Sequence, residues 1–238
     1  MPWQAGITGI AYDPERIGGD ITSVDALFDP ALRGRVGLVG EMREAVGLAM
    51  LSNGDDPSRP TARSTQAALD RLRNLVETGH FGFIVFDDFV NRLVGGELDV
   101  TMAWSGQAVG LALEDPRFRY VIPDEGGISW FDTMVIAKGA PNFRNAARWM
   151  NWAYDPVNAA AISQFNLYVC PVLGTQQALL AMGGEAAALA SNPLVFPDAD
   201  TRNRLFTWGT LDLAAELEIE AGFDELFGFF DDTLRFIG

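Results

Sequence analysis

The stretch Asp99-Val-Thr-Met-Ala-Trp104 is a short apolar run that stops at Ser105-Gly106, where a helical pattern begins. This order predicts a buried strand, a tight turn and then a helix. Apolar runs at residues 35–39 and 83–86 are likewise followed by helical patterns. Strands separated by helices predict an α/β fold with a mainly parallel sheet.

The other predicted elements extend this alternation along the chain. Strands are predicted at residues 7–12, 119–123 and 128–137, and helices at residues 22–28, 41–52, 62–77 and 87–94. From residue 142 onward helices dominate, and the last, an amphipathic one, is predicted at residues 214–236.

Composition and charge narrow the range of ligands. The 238 residues are 48% hydrophobic, which is typical of a folded domain. Acidic residues outnumber basic ones 32 to 17, and the net charge is -15. Such a protein repels the phosphates of nucleic acids and of anionic membranes, so neither is expected as a partner. A cationic ligand is favoured instead.

Cysteine and histidine are too scarce for several common kinds of site. Cys170 is the only cysteine and His80 the only histidine, which excludes an intrachain disulfide and a Cys/His zinc site. A Ser-His-Asp triad would have to use His80, and that residue lies in a segment typical of a helix end. Since the chain also has no phosphate-binding glycine loop, we expect no metal, no cofactor and no enzymatic activity.

No apolar run is long enough to span a bilayer, and the sequence from Met1 to Gly6 has neither the basic nor the hydrophobic region of a signal peptide. We therefore expect no export signal within this chain.

Glu41 and Glu44 follow the predicted strand at residues 35–39 and share one face of the first helical turn. Acidic residues there can simply complement the helix dipole. Alternatively, they form a carboxylate pair at the sheet edge where open α/β sheets bind ligands.

Trp130 and Asp132 are two apart in a predicted strand, so an indole and a carboxylate face the same way. Trp104 ends another strand just before a glycine turn, a position that can line a pocket or cap a core. Carboxylates bind ammonium groups, and indole faces attract cations or pack on methylene chains. The three clusters together favour a cation-binding site over catalysis.

Motifs along nearly the whole chain resemble one family. They are Pro2-Trp-Gln-Ala-Gly6, Pro30-Ala-Leu-Arg-Gly34, Glu41-Met-Arg-Glu44, Gly95 to Gly106, Pro123 to Asp132, Tyr168 with Pro171, and Phe196-Pro-Asp-Ala199. The most specific is Glu125-Gly-Gly-Ile-Ser-Trp-Phe-Asp132. On these motifs the chain resembles the spermidine/putrescine-binding proteins of bacterial ABC transporters, which are extracytoplasmic receptors.

The resemblance implies a type II periplasmic-binding-protein fold with two lobes, of which the second is largely complete and the first mostly missing. Residues 7–127 and 174–238 would form the second lobe, and residues 1–6 and 128–173 the hinge and a first-lobe remnant. The chain would then be truncated at its N-terminus. The remnant around residues 143–165 is expected to expose apolar surface that a dimer or a swapped partner covers.

The resemblance also implies a role for each site residue. Asp132 would bind one ammonium group, Trp104 and Trp130 would flank the methylene chain, and Glu41 and Glu44 would hold amines at the other end. Tyr168 would add a polar wall, and the captured polyamine (putrescine or spermidine) would pass to an ABC permease in the membrane. The chain departs from the family at Gly209, because family members often carry a glutamine beside the late tryptophan, here Trp208.

Three alternatives stay open. The chain could be a receptor for another small organic cation or amino-acid derivative, or a lobe without binding activity. It could also be an acid/base enzyme that uses Glu41, Glu44 or Asp132, for instance on a sugar.

Overall fold

The computed structural model describes residues 1–234, and side chains as far as residue 228. One sheet organises this part of the chain, in the order β3-β2-β4-β1-β6-β7, with β5 paired to β1. Its strands are β1 (Pro2–Tyr12), β2 (Val36–Val39), β3 (Phe81–Val85), β4 (Val100–Trp104), β5 (Arg119–Val121), β6 (Gly127–Thr133) and β7 (Leu205–Thr207).

Six of the seven described strands run in one direction, but three of the six strand pairings are antiparallel, so the α/β class is confirmed and the sheet is mixed rather than mainly parallel. The exception is β1, which is antiparallel to β4, β5 and β6. Because β1 runs the opposite way, its first residues lie beside the carboxyl ends of its neighbours. This reversal positions two residues of the site described below.

Helices cover both faces of the sheet. They are α1 (Pro14–Ile17), α2 (Met42–Ser52), α3 (Ala62–Glu77), α4 (Phe89–Gly95), α5 (Ser105–Glu114), α6 (Phe143–Ala153), α7 (Pro156–Asn166), α8 (Thr175–Met182), α9 (Gly184–Leu189), α10 (Ala199–Asn203) and α11 (Leu213–Leu234). The main core joins the sheet to α2, α3 and α11, and a second cluster lies under α4 and α5.

Two predicted strands end earlier in the structure than the sequence indicated, and strand pairing explains both differences. The strand predicted at residues 128–137 ends at Thr133, because its partner β1 begins at Pro2, opposite that residue. The strand predicted at residues 119–123 ends at Val121, because β6 takes over the pairing with β1 at Thr8.

Two predicted helices also differ from the structure. The helix predicted at residues 22–28 is a 3₁₀ turn, Val24–Phe28, whose first turn Ser23 caps through a hydrogen bond from the Asp25 amide. The predicted last helix is α11, and the end assigned to it at Phe236 lies outside the described residues.

The expected apolar surface on the segment 143–165 is present. Phe143, Trp149, Trp152 and Phe165 are all exposed, and Phe165 is 91% accessible. Trp149 also packs on Trp3, with ring centroids 5.6 Å apart. The described helices include none that is both long enough and apolar enough to cross a membrane.

Gly6 of β1 allows the indole of Trp130 to lie flat against the sheet. A Cβ at Gly6 would come within 2.2 Å of Trp130 Cζ2. We therefore expect Gly6→Ala to lower the free energy of unfolding by about 1–2 kcal/mol through overpacking, as measured by urea denaturation. Gly228→Ala serves as a control for the added methyl group, because a Cβ there meets open space, and within α11 it should leave stability unchanged or raise it. Equal stabilities of wild type and Gly6→Ala would contradict this expectation.

Candidate functional site

A cleft of about 670 Å³ lies at the edge of the sheet where β2, β3, β4, β6 and β7 end. This is the edge at which open α/β sheets bind ligands. Its lining consists of Gln4, Glu41, Arg43, Glu44, Asp87, Trp104, Gln107, Ile128, Ser129, Trp130, Phe131, Asp132, Tyr168, Thr207 and Trp208. All six site residues predicted from the sequence are among them.

The reversed strand β1 brings two polar residues to this edge. Thr8 is paired with Trp104 of β4, and Gln4 with Asp132 of β6. Thr8 is fully buried beneath the cleft, whereas Gln4 lines it. Both residues hold a carboxylate of the site in place.

Glu44 is the centre of a buried hydrogen-bond network. Its Oε2 accepts hydrogen bonds from the Thr8 hydroxyl and, at 2.6 Å, from Trp104 Nε1. Trp130 Nε1 in turn donates to Thr8 Oγ1 at 3.1 Å. The two indoles that line the cleft are therefore both oriented by one carboxylate, directly or through Thr8.

Burial gives Glu44 unusual acid–base behaviour. Glu44 is only 8% exposed to solvent. Burial raises the pKa of Glu44 from an ordinary value near 4.5 to about 7, and the hydrogen bonds from Thr8 and Trp104 oppose this rise. The negative charges of Glu41 and Asp132 add to it. A cation in the cleft would reverse this effect by favouring the ionised carboxylate.

Three aromatic rings form a continuous wall of the cleft. The ring centroids of Trp104 and Trp130 are 6.4 Å apart, and those of Trp130 and Tyr168 are 5.4 Å apart, with both pairs inclined edge to face. Tyr168 approaches this closely because it rests on Gly106, where a Cβ would lie 2.7 Å from its ring. Such a wall presents π faces to methylene groups or cations.

Asp132 is exposed in the cleft but held by a relay of amides. Gln4 Nε2 donates to Asp132 Oδ2 at 3.0 Å, and Asn166 Nδ2 donates to Gln4 Oε1 at 2.9 Å. The relay connects β6, β1 and the end of α7. It leaves the second carboxylate oxygen of Asp132 available to a ligand.

The charge of the cleft is negative. Glu41, Glu44, Asp87 and Asp132 line it, and Arg43 is the one basic residue in its described lining. The Arg43 guanidinium, however, is bound by Glu216 and, at 3.1 Å, by Glu220 of α11. The positive charge of Arg43 is therefore paired with two carboxylates of α11.

Sequence reasoning missed Gln4, Asp87 and Gln107, and it noted Trp208 without placing it in the site. Asp87 and Gln107 each follow the end of a strand, β3 and β4, and that position was a usable signal. Trp208 lines the cleft, and its Nε1 donor is buried without a hydrogen-bond partner among the described residues. Within residues 1–234, the His, Cys, Asp and Glu side chains form no group of three or more that could hold a metal ion.

Comparison with known proteins agrees with this architecture. Residues 1–196 match the family model described as bacterial extracellular solute-binding protein. The spermidine/putrescine-binding periplasmic protein of Escherichia coli is 26% identical over 196 residues, which are 82% of this chain and 53% of that protein.

Solved structures share the fold. A Listeria monocytogenes structure, described as a spermidine/putrescine ABC transporter, has a TM-score of 0.82 and 29% identity, over 95% of this chain and 68% of that one. The AgtB binding protein of Agrobacterium tumefaciens, solved in complex with agropinic acid, has a TM-score of 0.72 and 15% identity, over 96% of this chain and 68% of that one.

The chain spans about half the length of the curated relatives that it matches. The family consists of solute-binding proteins rather than enzymes, in agreement with the prediction of no enzymatic activity. Its curated relatives are periplasmic, in agreement with the predicted extracytoplasmic location. By its matched residues and its type II periplasmic-binding-protein fold, the chain belongs to the bacterial extracellular solute-binding protein family.

Proposed function

We propose that this protein is the solute-binding component of an ABC importer and that it captures polyamines such as putrescine and spermidine in the cleft. The observation that carries the proposal is the described lining, in which four carboxylates accompany an aromatic wall and the basic side chain, Arg43, is paired with two glutamates of α11. Ammonium groups pair with carboxylates, and methylene chains pack on aromatic faces. No bond is made or broken.

The proposed contacts follow the positions of the side chains. Asp132 binds one ammonium group, and Glu41 and Glu44 bind the amine at the other end. Trp104 and Trp130 flank the methylene chain between them, and Tyr168 adds a polar wall. Support comes from the presence of all six in one cleft and from the names of the curated relatives.

The cleft draws on both of the proposed units of the chain. Residues 7–127 and 174–238, proposed as the second lobe, supply Glu41, Glu44 and Trp104. They also supply Arg43, Asp87, Gln107, Thr207 and Trp208. Residues 1–6 and 128–173, proposed as hinge and first-lobe segment, supply the rest of the lining: Gln4, Ile128, Ser129, Trp130, Phe131, Asp132 and Tyr168. Closure of two lobes over the cleft, followed by delivery of the ligand to a membrane permease, completes the proposed cycle.

A second candidate is a receptor for an amino-acid derivative or another organic cation that also carries an acceptor group. The observation that favours it is Trp208 Nε1, a buried donor without a partner among the described residues of the cleft. This donor has no accessible surface, so a ligand reaches it only when the Trp208 indole turns toward the cleft. A carboxylate or hydroxyl would then accept its hydrogen bond, whereas a fully protonated polyamine has no acceptor.

Calorimetric titration of the 238-residue chain at low salt tests the proposal, with putrescine, spermidine and the uncharged 1,4-butanediol as ligands. We expect binding of the amines but not of the diol, and weaker binding as salt is added. Absence of binding by both amines would overturn the proposal. Tighter binding of arginine than of either amine would favour the second candidate.

A further inference from the structure

Leu167 has a backbone conformation that leucine rarely adopts. It directly follows α7 with a φ of 61° and a ψ of 16°, and every other described residue with a positive φ is a glycine. In this left-handed region the Cβ of an L-residue comes too close to the following carbonyl oxygen, so the conformation is unfavourable. Such a residue persists only where its surroundings hold it in place.

Contacts with three elements hold Leu167 in this conformation. Its amide donates to the Ser163 carbonyl oxygen of α7 at 2.9 Å. Its half-buried side chain lies against α5, where a Cβ added to Gly110 would come 3.4 Å from Leu167 Cδ1. Two residues further on, Val169 and Ala5 of β1 exchange two backbone hydrogen bonds, each of 2.9 Å. The turn is therefore attached to α7, α5 and β1, which together can impose an unfavourable backbone conformation.

Both neighbours of Leu167 in the chain contribute to the cleft. Asn166 Nδ2 donates to Gln4 Oε1 at 2.9 Å, and Gln4 in turn holds Asp132. Asn166 Oδ1 accepts a hydrogen bond from the Tyr168 amide at 3.2 Å, and the Tyr168 ring ends the aromatic wall. Leu167 is the one residue between them, so its φ and ψ set the direction of Tyr168 relative to Asn166.

We propose that Leu167, in its left-handed conformation, is a positioning residue that sets both the relay to Asp132 and the ring of Tyr168 for the ligand. Leu167 is absent from the lining of the cleft and acts through its two neighbours. If it took an ordinary φ, the chain would leave α7 in another direction and the ring would move away from the relay. The effect on polyamine affinity rests on the proposed function, whereas the effect on the ligand-free aromatic wall does not.

Substitutions that separate backbone conformation from side-chain packing test this proposal. Leu167→Gly and Leu167→Asn remove the contact with Gly110 but accept the left-handed conformation, which is common for both residues after a helix. Leu167→Val remains apolar, but a β-branched residue strongly disfavours a positive φ. We expect Leu167→Val to populate the left-handed turn about tenfold less and therefore to bind spermidine about tenfold more weakly.

The two variants that accept the turn should bind spermidine within about twofold of wild type, although they lose more packing than Leu167→Val does. Leu173→Val, at a position that is 93% exposed in a nearby turn, is the control for the exchange of leucine for valine. Calorimetric titration at low salt measures the affinities. Near-ultraviolet circular dichroism of each ligand-free protein reports the packing of the aromatic wall, and we expect a changed spectrum for Leu167→Val alone.

The outcomes separate a positioning role from a packing role. The proposal is overturned if Leu167→Val lowers only the unfolding temperature and keeps the wild-type spectrum and affinity. It is equally overturned if Leu167→Gly and Leu167→Asn lose the affinity and the spectrum instead, because packing on Gly110 would then be what matters. If wild type binds no polyamine, the proposed function fails, and the ligand-free spectra of the three variants still decide whether Leu167 positions the aromatic wall.

Discussion

Replacing Asp132 by asparagine is expected to weaken the binding of putrescine and spermidine by about thirtyfold, or about 2 kcal/mol, the value typical of a hydrogen bond to a charged group. Gln4 Nε2 binds one carboxylate oxygen and directs the other toward the cleft. Asparagine keeps an acceptor for Gln4, so the relay from Asn166 survives while the negative charge is lost.

The measurement is calorimetric titration with both amines at low salt, with Asp70→Asn, on the outer face of α3, as the control for the loss of one negative charge. A second variant, Gln4→Ala, removes the support of Asp132 without removing its charge, and it should weaken binding by about threefold. Thermal unfolding of each variant checks that the fold is retained. Affinities within about twofold of wild type for Asp132→Asn would contradict the assignment of Asp132 as an ammonium ligand.

The fold class could be predicted because the alternation of apolar runs and helical patterns is a local signal. The direction of β1 could not be predicted, because side chains alternate with the same period whichever way a strand runs. That single direction decides whether Gln4 and Thr8 lie in the site or at the opposite edge. Their part in the site is therefore a consequence of long-range pairing with β4 and β6.

The candidate site was partly predictable because some of its residues are linked by short spacings, which are local signals. The two-residue spacing of Trp130 and Asp132 and the three-residue spacing of Glu41 and Glu44 are local, and all four residues line one cleft. The spacing could not show that Glu41 is exposed at the N-cap while Glu44 is buried. Burial of Glu44 depends on strands that are distant in sequence.

Burial of Glu44 leads to opposite pH dependences for stability and for ligand binding. In the folded, ligand-free protein the pKa of Glu44 is raised, mainly by burial, to about 7. The folded state therefore holds this proton more tightly than the unfolded state. Its contribution to stability is fully present below about pH 4.5 and is lost as the pH rises through about 7.

The affinity for a cation is expected to rise with pH, opposite to the contribution of Glu44 to stability. An ammonium group favours the ionised carboxylate, so below pH 7 the ligand has to displace a proton from Glu44. We expect spermidine affinity to fall by up to about tenfold per pH unit below the ligand-free pKa, with one proton released per ligand bound. Titrations at about pH 8.5 and about pH 5.5, in buffers of different ionisation enthalpy, measure both quantities.

Glu44→Gln tests whether Glu44 is the group responsible. The amide oxygen can still accept the hydrogen bonds from Thr8 and Trp104, but the residue no longer titrates. Glu41, Asp132 and Tyr168 remain to face the ligand. The variant should bind weakly at every pH and show little pH dependence between about 6 and 8. If Glu44→Gln retained the wild-type pH profile, the released proton would have to come from another group. A flat pH profile without proton release would show that Glu44 both binds the cation and couples the capture of the cation to pH.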